Sequence, residues 1–269
     1  MLYIIRTYMF KRIALILIAT LTLTSSLSAG SNGELILNKN NPSEIKDCSE
    51  KFNRASFAIN QTLDGIIFQP VANVYRKLPS PAKNGVSNSL SNLSHLLTIP
   101  NNIMQGDIRE AGINSGRFII NTTLGVLGIF DVAQYLGLTG YEKEDYGQSF
   151  AKLGVGPGCY VVLPIIGPST VRDTVGASLN FLGGDAWYNV TVKNDTQYFN
   201  DANYYYSKGA SGVDFRAKNY DSIENLEKNS LDFYASVKSL YLQDRQQKIL
   251  NTKKIVNTQN DNDWEEISQ

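Results

Sequence analysis

Histidine, cysteine and surplus charge of either sign are what this sequence has least of. His95 is the only histidine among 269 residues, and there are two cysteines. One histidine leaves little material for His-dependent metal sites or catalytic triads, and two cysteines exclude a disulfide-framework scaffold or a Cys-rich zinc module. The 25 basic residues balance 25 acidic ones, so no basic excess attracts nucleic acid. We therefore expect no enzymatic activity, no cofactor, no metal and no nucleic-acid partner.

The N-terminus has the pattern of a secretory signal peptide. Lys11 and Arg12 precede an apolar run over residues 13–23, and small residues around Ala29 offer a cleavage point. Cleavage of residues 1–29 leaves 22 basic and 25 acidic groups, so the mature chain is mildly acidic. Export with so few cysteines favours a bacterial envelope. The sequence leaves open whether the two cysteines are bonded there, because their separation in space is not readable from it.

Beyond the signal peptide, the chain divides into polar ends and one apolar middle. Residues 30–50 are expected to form a tether and residues 251–269 a polar C-terminal tail. Over residues 51–250, apolar positions recur mostly at helical spacing, which predicts a mainly α-helical single domain. Pro70 should kink or divide the first helix, and a later helix should end at Pro100. Strand-like alternation is confined largely to residues 160–166.

Several polar residues suggest chemistry, and each has a structural alternative. His95 could act as a general base, but no nucleophile motif accompanies it. Glu142, Glu144 and Asp145 could bind a cation, yet such an acidic run usually marks a solvated loop, which is our interpretation. The glycine-rich segment 154–158 lacks the spacing of a phosphate-binding loop, so we interpret it as a close-packed turn.

Two charged pairs lie in sparsely charged surroundings. Arg172 could bind a lipid phosphate or pair with Asp173, and we favour the structural ion pair. Asp131, which we place in an apolar helix, needs a partner if it is buried, and Arg117 is the nearest candidate. Neither of the least charged segments, 112–140 and 147–171, reaches the ~18 consecutive apolar residues of a membrane-spanning helix. They fit a buried core or shallow insertion into a membrane.

A dense series of short motifs runs through the apolar middle of the chain. It includes Phe52-Asn53-Arg54, Pro70-Val71-Ala72, Asn121-Thr122, Asp131-Val132-Ala133, Tyr146-Gly147-Gln148-Ser149, Gly154-Val155-Gly156, Tyr160, Leu163-Pro164, Gly167-Pro168-Ser169, Arg172-Asp173 and Tyr241-Leu242-Gln243-Asp244-Arg245. In order and spacing this series resembles the MlaA (VacJ) family of outer-membrane lipoproteins. The resemblance covers roughly residues 48–250, and a series of this density is far more specific than any single motif.

The resemblance implies a helical, ring-like domain whose amphipathic helices lie in the inner leaflet of the outer membrane. Such a protein removes phospholipids from the outer leaflet, maintains lipid asymmetry and passes the lipids to a soluble periplasmic carrier. Family members associate with trimeric porins, and no cofactor is implied. As contacts to lipid or membrane we predict Phe57, Ile59, Leu63, Ile66, Val161, Val162, Ile165, Ile166 and Arg172.

One position departs from the lipoprotein pattern. Lipoprotein members carry a cysteine directly after the signal peptide, whereas residues 28–31 here read Ser-Ala-Gly-Ser and Cys48 lies far downstream. Buried apolar helix faces or an uncleaved signal helix would then serve as the membrane attachment. The alternative function is a periplasmic or surface interaction protein, linked through the family to bacterial intercellular spread, without lipid transport.

Overall fold

The computed structural model describes residues 45–139, 142–192 and 200–250, and these residues are mostly helical, as the sequence predicts. The signal peptide, the tether up to residue 44 and the C-terminal tail lie outside the described residues. The α-helices are α1 (Glu50–Leu63), α2 (Gln69–Arg76), α3 (Ser80–Met104), α4 (Ile108–Thr123), α5 (Val132–Tyr135), α6 (Tyr146–Lys152), α7 (Val171–Leu179), α8 (Asp201–Lys218), α9 (Tyr220–Asn229) and α10 (Phe233–Leu250). Short π-helical segments cover Asp64–Phe68, Asn180–Gly184 and Tyr188–Val192. The strands are β1 (Tyr160–Leu163) and β2 (Gly167–Thr170).

Pro70 divides the first helical run, which confirms the prediction. The π-helical segment Asp64–Phe68 separates α1 from α2, and Pro70 occupies the first turn of α2. A proline is tolerated in the first turn of a helix because it has no N–H that would need a partner there. The run is thus divided into α1 and α2 by the π-helical segment directly before Pro70.

The predicted end of a helix at Pro100 is wrong, because α3 continues to Met104. A proline inside a helix removes only one backbone hydrogen bond, and the neighbouring turn is secured in other ways. The Asn101 side chain donates to the Leu97 carbonyl oxygen at 2.8 Å and accepts from the Ser149 hydroxyl at 2.6 Å. The helix ends at Met104, and Gly106, just beyond the C-cap residue Gln105, closes the C-terminus with a φ of 79°. Asp107 then caps α4 by accepting from the Glu110 amide.

The strand-like segment is a short antiparallel hairpin in which Tyr160 pairs with Thr170 and Leu163 with Gly167. The strand is shorter than predicted, because the chain turns at Pro164 to Ile166. Two amides of α1 complete the free edge of β1. Asn53 donates to the Tyr160 carbonyl oxygen and accepts from the Val162 amide, at 3.0 and 2.9 Å. Asn60, seven residues after Asn53 in α1, makes a similar bridge at the turn of the hairpin: it donates to the Leu163 carbonyl oxygen and accepts from the Ile165 amide.

The folded region begins earlier than the predicted boundary at residue 51. Ile45 packs against the core formed by Tyr160, Val162, Tyr234 and Leu242, and the Lys46 carbonyl oxygen accepts from the Tyr160 amide. Cys48 and Cys159 form a disulfide with a Cα–Cα separation of 5.7 Å, which settles the alternative that the sequence leaves open. Residues 45–49 are therefore attached to the hairpin and do not belong to a tether.

The two bonds of Asn53 predict a large loss of stability on truncation. In Asn53→Ala, the buried backbone groups of residues 160 and 162 lose their partners, and each unsatisfied group costs about 1–3 kcal/mol. We expect the free energy of unfolding in detergent, measured by urea denaturation, to fall by about 2–4 kcal/mol. Asn229→Ala, at the exposed end of α9, is the matched control and should change it by less than about 1 kcal/mol. Equal effects of the two substitutions would contradict the bridging role.

Candidate functional site

The distribution of polarity in the described residues is the reverse of that in an ordinary water-soluble domain. Buried polar and charged side chains outnumber buried hydrophobic ones, and five of the twelve buried hydrophobic residues are small alanines. Large hydrophobic side chains, by contrast, are exposed along most elements. Exposed apolar patches of this extent mark contact with another apolar phase or partner. The candidate site is therefore this surface together with the polar interior that supports it.

The helical run from α1 to α2 exposes what we call the first apolar surface. It comprises Ile59, Ile66, Ile67, Val71 and Val74. Polar side chains of the same run attach it to α8 and α9. Arg216 binds Asp64 at 2.9 Å, and Glu224 accepts from Gln69 at 2.8 Å. Arg216 also binds Glu224, so one buried guanidinium joins both helices to the run. The apolar side chains are consequently left facing outward.

The loop after α4 and the helix α5 expose a second apolar surface. It comprises Leu124, Val126, Leu127, Phe130 and Leu136. Val126 and Leu127 have φ values of 52° and 56°, a left-handed conformation that costs about 1–3 kcal/mol per residue. The loop is held in place because Asn88 of α3 donates to the Ile129 carbonyl oxygen at 3.0 Å. The two strained residues thus lie in a loop whose apolar side chains are exposed.

The residues predicted to contact lipid fall into three groups. Ile59, Ile66, Ile165 and Ile166 are exposed, and the last two form the tip of the hairpin. Leu63 and Val161 are half-buried. Phe57 is half-buried and packs against the core, whereas Val162 is fully buried in it, so the prediction of a lipid contact is wrong for Val162. The contact of the exposed residues with lipid stays a prediction.

Arg172 does not face outward as a phosphate-binding residue would, because it is buried and its Nε lies 2.9 Å from Asp173 Oδ1. This confirms the structural ion pair. The pair belongs to a larger group that we call the Arg245 network. Arg245 binds Asp145 at 2.6 Å and Asp173 at 2.9 Å, and the Tyr241 hydroxyl donates to Asp173 at 2.8 Å. The network ties α10 to α6 and α7.

Burial and ion pairing shift the pKa values of the carboxylates in the Arg245 network in opposite directions. Burial alone would raise the pKa of Asp145, but the hydrogen bonds and charge of Arg245 outweigh it and lower the pKa to about 2. Burial likewise opposes ionisation of Asp173, and Arg245 and Arg172 together lower its pKa. Both carboxylates are therefore ionised at neutral pH. A side chain at Gly147 would collide with Arg245, since a Cβ there would lie 2.5 Å from its Nη2.

The interpretation of Glu142, Glu144 and Asp145 as a solvated run is wrong for two of the three. Glu144 is buried and accepts from Gln105 at 2.8 Å, and Asp145 both caps α6 and binds Arg245. Charge density along the sequence gave no sign of these partners, which come from distant segments. Among the described residues, no group of three or more His, Cys, Asp or Glu side chains is placed to hold a metal ion.

The glycine-rich segment after α6 is a turn, as predicted. Gly154 and Gly158 have φ values of 90° and 68°, which favour glycine. At Gly158, a Cβ would also lie 3.0 Å from the Cβ of Val171, so the segment is close-packed there. The turn brings Tyr160 to the start of β1. Within the part of the chain that the structure describes, no helix has both the length and the apolar character required to cross a bilayer.

A polar cleft of about 330 Å³ lies between α3, α4 and the start of α5. Arg117 binds Asp131 at 2.7 Å, which confirms the predicted pair, and Asn121 donates to the same carboxylate at 2.9 Å. Asp131 is not inside an apolar helix but caps α5. His95 also lines the cleft, and burial together with the charge of Arg117 lowers its pKa to about 4. The imidazole is therefore neutral at neutral pH.

Sequence reasoning missed three residues that organise these surfaces. Asn60 shares the helix face of Asn53, and this seven-residue spacing could have identified it. Arg245 belongs to the last motif of the series, but its carboxylate partners are 72 and 100 residues away. Asn92 holds Thr122 of α4 at 2.8 Å, and an asparagine within a leucine-rich helix was its only signal.

The Arg245 network predicts acid sensitivity. Because both folded-state pKa values are lowered, the stabilisation is fully present above the unfolded pKa of about 3.9 and is lost as the pH falls towards about 2. Urea midpoints at about pH 7, 4 and 3 should therefore decrease in the unmodified protein, and the decrease should be shallower in Asp145→Asn. Asp221→Asn, which alters an exposed ion pair, is the control and should retain the original pH profile. An unchanged acid slope in Asp145→Asn would contradict this assignment.

Comparison with known proteins places these features in a family. A family model described as MlaA lipoprotein matches residues 45–248. An uncharacterized protein of Rickettsia bellii is 36% identical over 211 residues, which cover 78% of this chain and 79% of that protein. The intermembrane phospholipid transport system lipoprotein MlaA of Escherichia coli is 39% identical over 134 residues, 48% of this chain and 53% of that protein. The chain thus matches only about half the length of the E. coli relative.

A solved structure agrees with the sequence comparisons. It is described as "Structural basis for maintenance of bacterial outer membrane lipid asymmetry" and matches with a TM-score of 0.63 and 33% identity. The match covers 76% of this chain and 99% of that one. Since the family model spans nearly all the described residues and the fold agrees, this chain belongs to the MlaA lipoprotein family.

Proposed function

We propose that this protein carries out intermembrane phospholipid transport and thereby maintains the lipid asymmetry of the outer membrane. It removes phospholipids from the outer leaflet and passes them to a soluble periplasmic carrier. The family, the name of the E. coli relative and the description of the matching structure support this proposal. The structural observation that carries it is the exposure of large apolar side chains on a domain whose interior is held by polar groups.

The exposed side chains favour a membrane over water. Each Å² of apolar surface removed from water contributes about 25 cal/mol, so several Ile and Val side chains together supply a substantial attachment energy. A helix can enter a leaflet because its backbone groups are hydrogen-bonded within the element. The first and second apolar surfaces, with Ile165 and Ile166 at the hairpin tip, are the parts that we propose to lie in the membrane.

No covalent chemistry is part of the proposal. Three buried or half-buried carboxylates take part in ion pairs, since Asp145 and Asp173 bind Arg245 and Asp131 binds Arg117. His95 has a pKa of about 4 in a cleft whose charged members already pair with each other. We therefore propose a non-enzymatic transporter in which these groups hold the domain together.

A trimeric porin and a soluble periplasmic lipid carrier are the partners that we propose, and the outer membrane facing the periplasm is the location. The family resemblance supports these partners. A surface interaction protein without lipid transport, the alternative function, is not favoured, because it gives no reason for such widespread apolar exposure on several elements.

Complementation tests the function directly. The protein is expressed in an E. coli strain that lacks its own MlaA, together with the native porin and carrier of the source organism, and outer-leaflet phospholipid and detergent sensitivity are measured. We expect both to return towards normal levels. A well-expressed, membrane-localised protein that restores neither with its partners supplied would contradict the proposed transport.

The first apolar surface gives a specific prediction. In the double variant Ile66→Asp, Val71→Asp, two exposed apolar side chains become charged, which opposes insertion into a leaflet. We expect membrane partitioning, measured by liposome flotation, to fall at least about tenfold and complementation to be lost. The double variant Asn225→Asp, Asn229→Asp places the same two charges on the exposed face of α9 and should float like the unmodified protein. Identical flotation of all three proteins would exclude this surface from the membrane contact.

A further inference from the structure

The polar cleft adjoins the second apolar surface. Asn88 and Asn92 of α3 line the cleft, and the same two residues hold the loop that carries the apolar side chains. Asn88 donates to the Ile129 carbonyl oxygen, while Asn92 lies directly against Gly128. On the other side, Gln134 of α5 lines the cleft and Leu136, two residues later, is exposed. The polar cleft and the second apolar surface thus adjoin each other, which is the arrangement needed to bind a molecule with a polar and an apolar end.

Two buried polar atoms in the cleft have no hydrogen-bond partner among the described residues. They are Asn92 Oδ1, an acceptor, and Arg117 Nε, a donor. Buried polar atoms are normally satisfied, and leaving one unsatisfied is costly. Two residues that line the cleft therefore each carry a polar atom whose hydrogen bond is still to be made. Its volume of about 330 Å³ falls within the range of small-molecule sites.

The charges of the cleft select the kind of occupant. Arg117 and Asp131 contribute one positive and one negative group, and His95 is neutral because burial lowers its pKa. The remaining lining side chains are uncharged amides and hydroxyls. A lining with no net charge gives no preference to a net anionic group, whereas a group that carries both charges can match Arg117 and Asp131 at the same time.

We propose that this cleft binds a zwitterionic head group that contains a phosphate and an ammonium, as in phosphatidylethanolamine, while the acyl chains lie along the second apolar surface. The phosphate oxygens accept hydrogen bonds from Arg117 and the cleft amides, and the ammonium donates to Asp131 and Asn92. This inference rests on the proposed function, since it names the part of the transported lipid that one site recognises.

Gln134 permits a charge test without loss of the fold, because its side chain is exposed at the edge of the cleft. Binding of two soluble lipids to the purified full chain is measured by calorimetry: dihexanoyl phosphatidylethanolamine, which is zwitterionic, and dihexanoyl phosphatidylglycerol, which is anionic. The unmodified protein should prefer the first. Gln134→Lys should shift the ratio of the two affinities towards the anionic lipid by about fivefold, and Gln134→Glu should shift it the other way.

Two control experiments test whether the cleft and the apolar surface are responsible for lipid binding. Gln243→Lys, on the exposed side of α10 and outside the cleft lining, is the matched control and should leave the ratio unchanged. Glycerophosphoethanolamine, the same head group without acyl chains, should bind more weakly than the lipid. Binding of this soluble head group as tight as that of the lipid would overturn the placement of the acyl chains.

Equal binding of both lipids by the unmodified protein, or equal ratios in the two lysine variants, would overturn the head-group site. Absence of binding to either lipid would also overturn it and leave water as the occupant. These failures differ from failure of the proposed function, because complementation by the unmodified protein does not depend on head-group preference. A protein that restores lipid asymmetry but does not discriminate between the lipids would refute only this inference.

Discussion

Hydrogen bonds and ion pairs between buried polar side chains are the interactions on which the rest of this structure depends. Asn53 joins the first helix to the hairpin, Arg245 joins the last helix to the carboxylates of two others, and Arg117 fixes the start of α5. The bonds of Asn53 and Arg245 link segments that are far apart in sequence, whereas Arg117 and Asp131 are 14 residues apart. A small apolar core around Tyr160 and Tyr234 supplements them. The domain can therefore hold its shape without placing most of its large apolar residues inside.

This arrangement has a direct consequence for the surface. Side chains of a kind that would form the core of a water-soluble domain are exposed, and two of them, Val126 and Leu127, lie on strained left-handed backbone. In an apolar medium, hydrophobic burial between helices is weak, and polar contacts and close packing carry the association. A polar interior with an apolar exterior is thus the form expected of a domain that works within a leaflet.

The sequence predicted the helical class, the division at Pro70 and the pairs Arg117–Asp131 and Arg172–Asp173, because each depends on local spacing or on charges within one segment. Prediction from the sequence failed where contacts between distant segments determine the structure. Pro100 did not end its helix, since buried asparagine bonds secure the next turn. Glu144 and Asp145 were interpreted as solvated because their partners are remote in sequence. Val162 was assigned to the surface because strand periodicity does not reveal which face is buried in a domain of reversed polarity.

The central claim is that the apolar surfaces lie in lipid, and the depth of single residues tests it most directly. A fluorophore is attached to a cysteine introduced at Ile66, Leu127 or Asn225 in liposome-bound protein, the native cysteines being joined as a disulfide. Quenching by a lipid-borne nitroxide is then compared with quenching by aqueous iodide. The account predicts that the probes at residues 66 and 127 are quenched from the lipid and shielded from iodide, with the reverse at residue 225. Equal quenching of all three probes by iodide would contradict it.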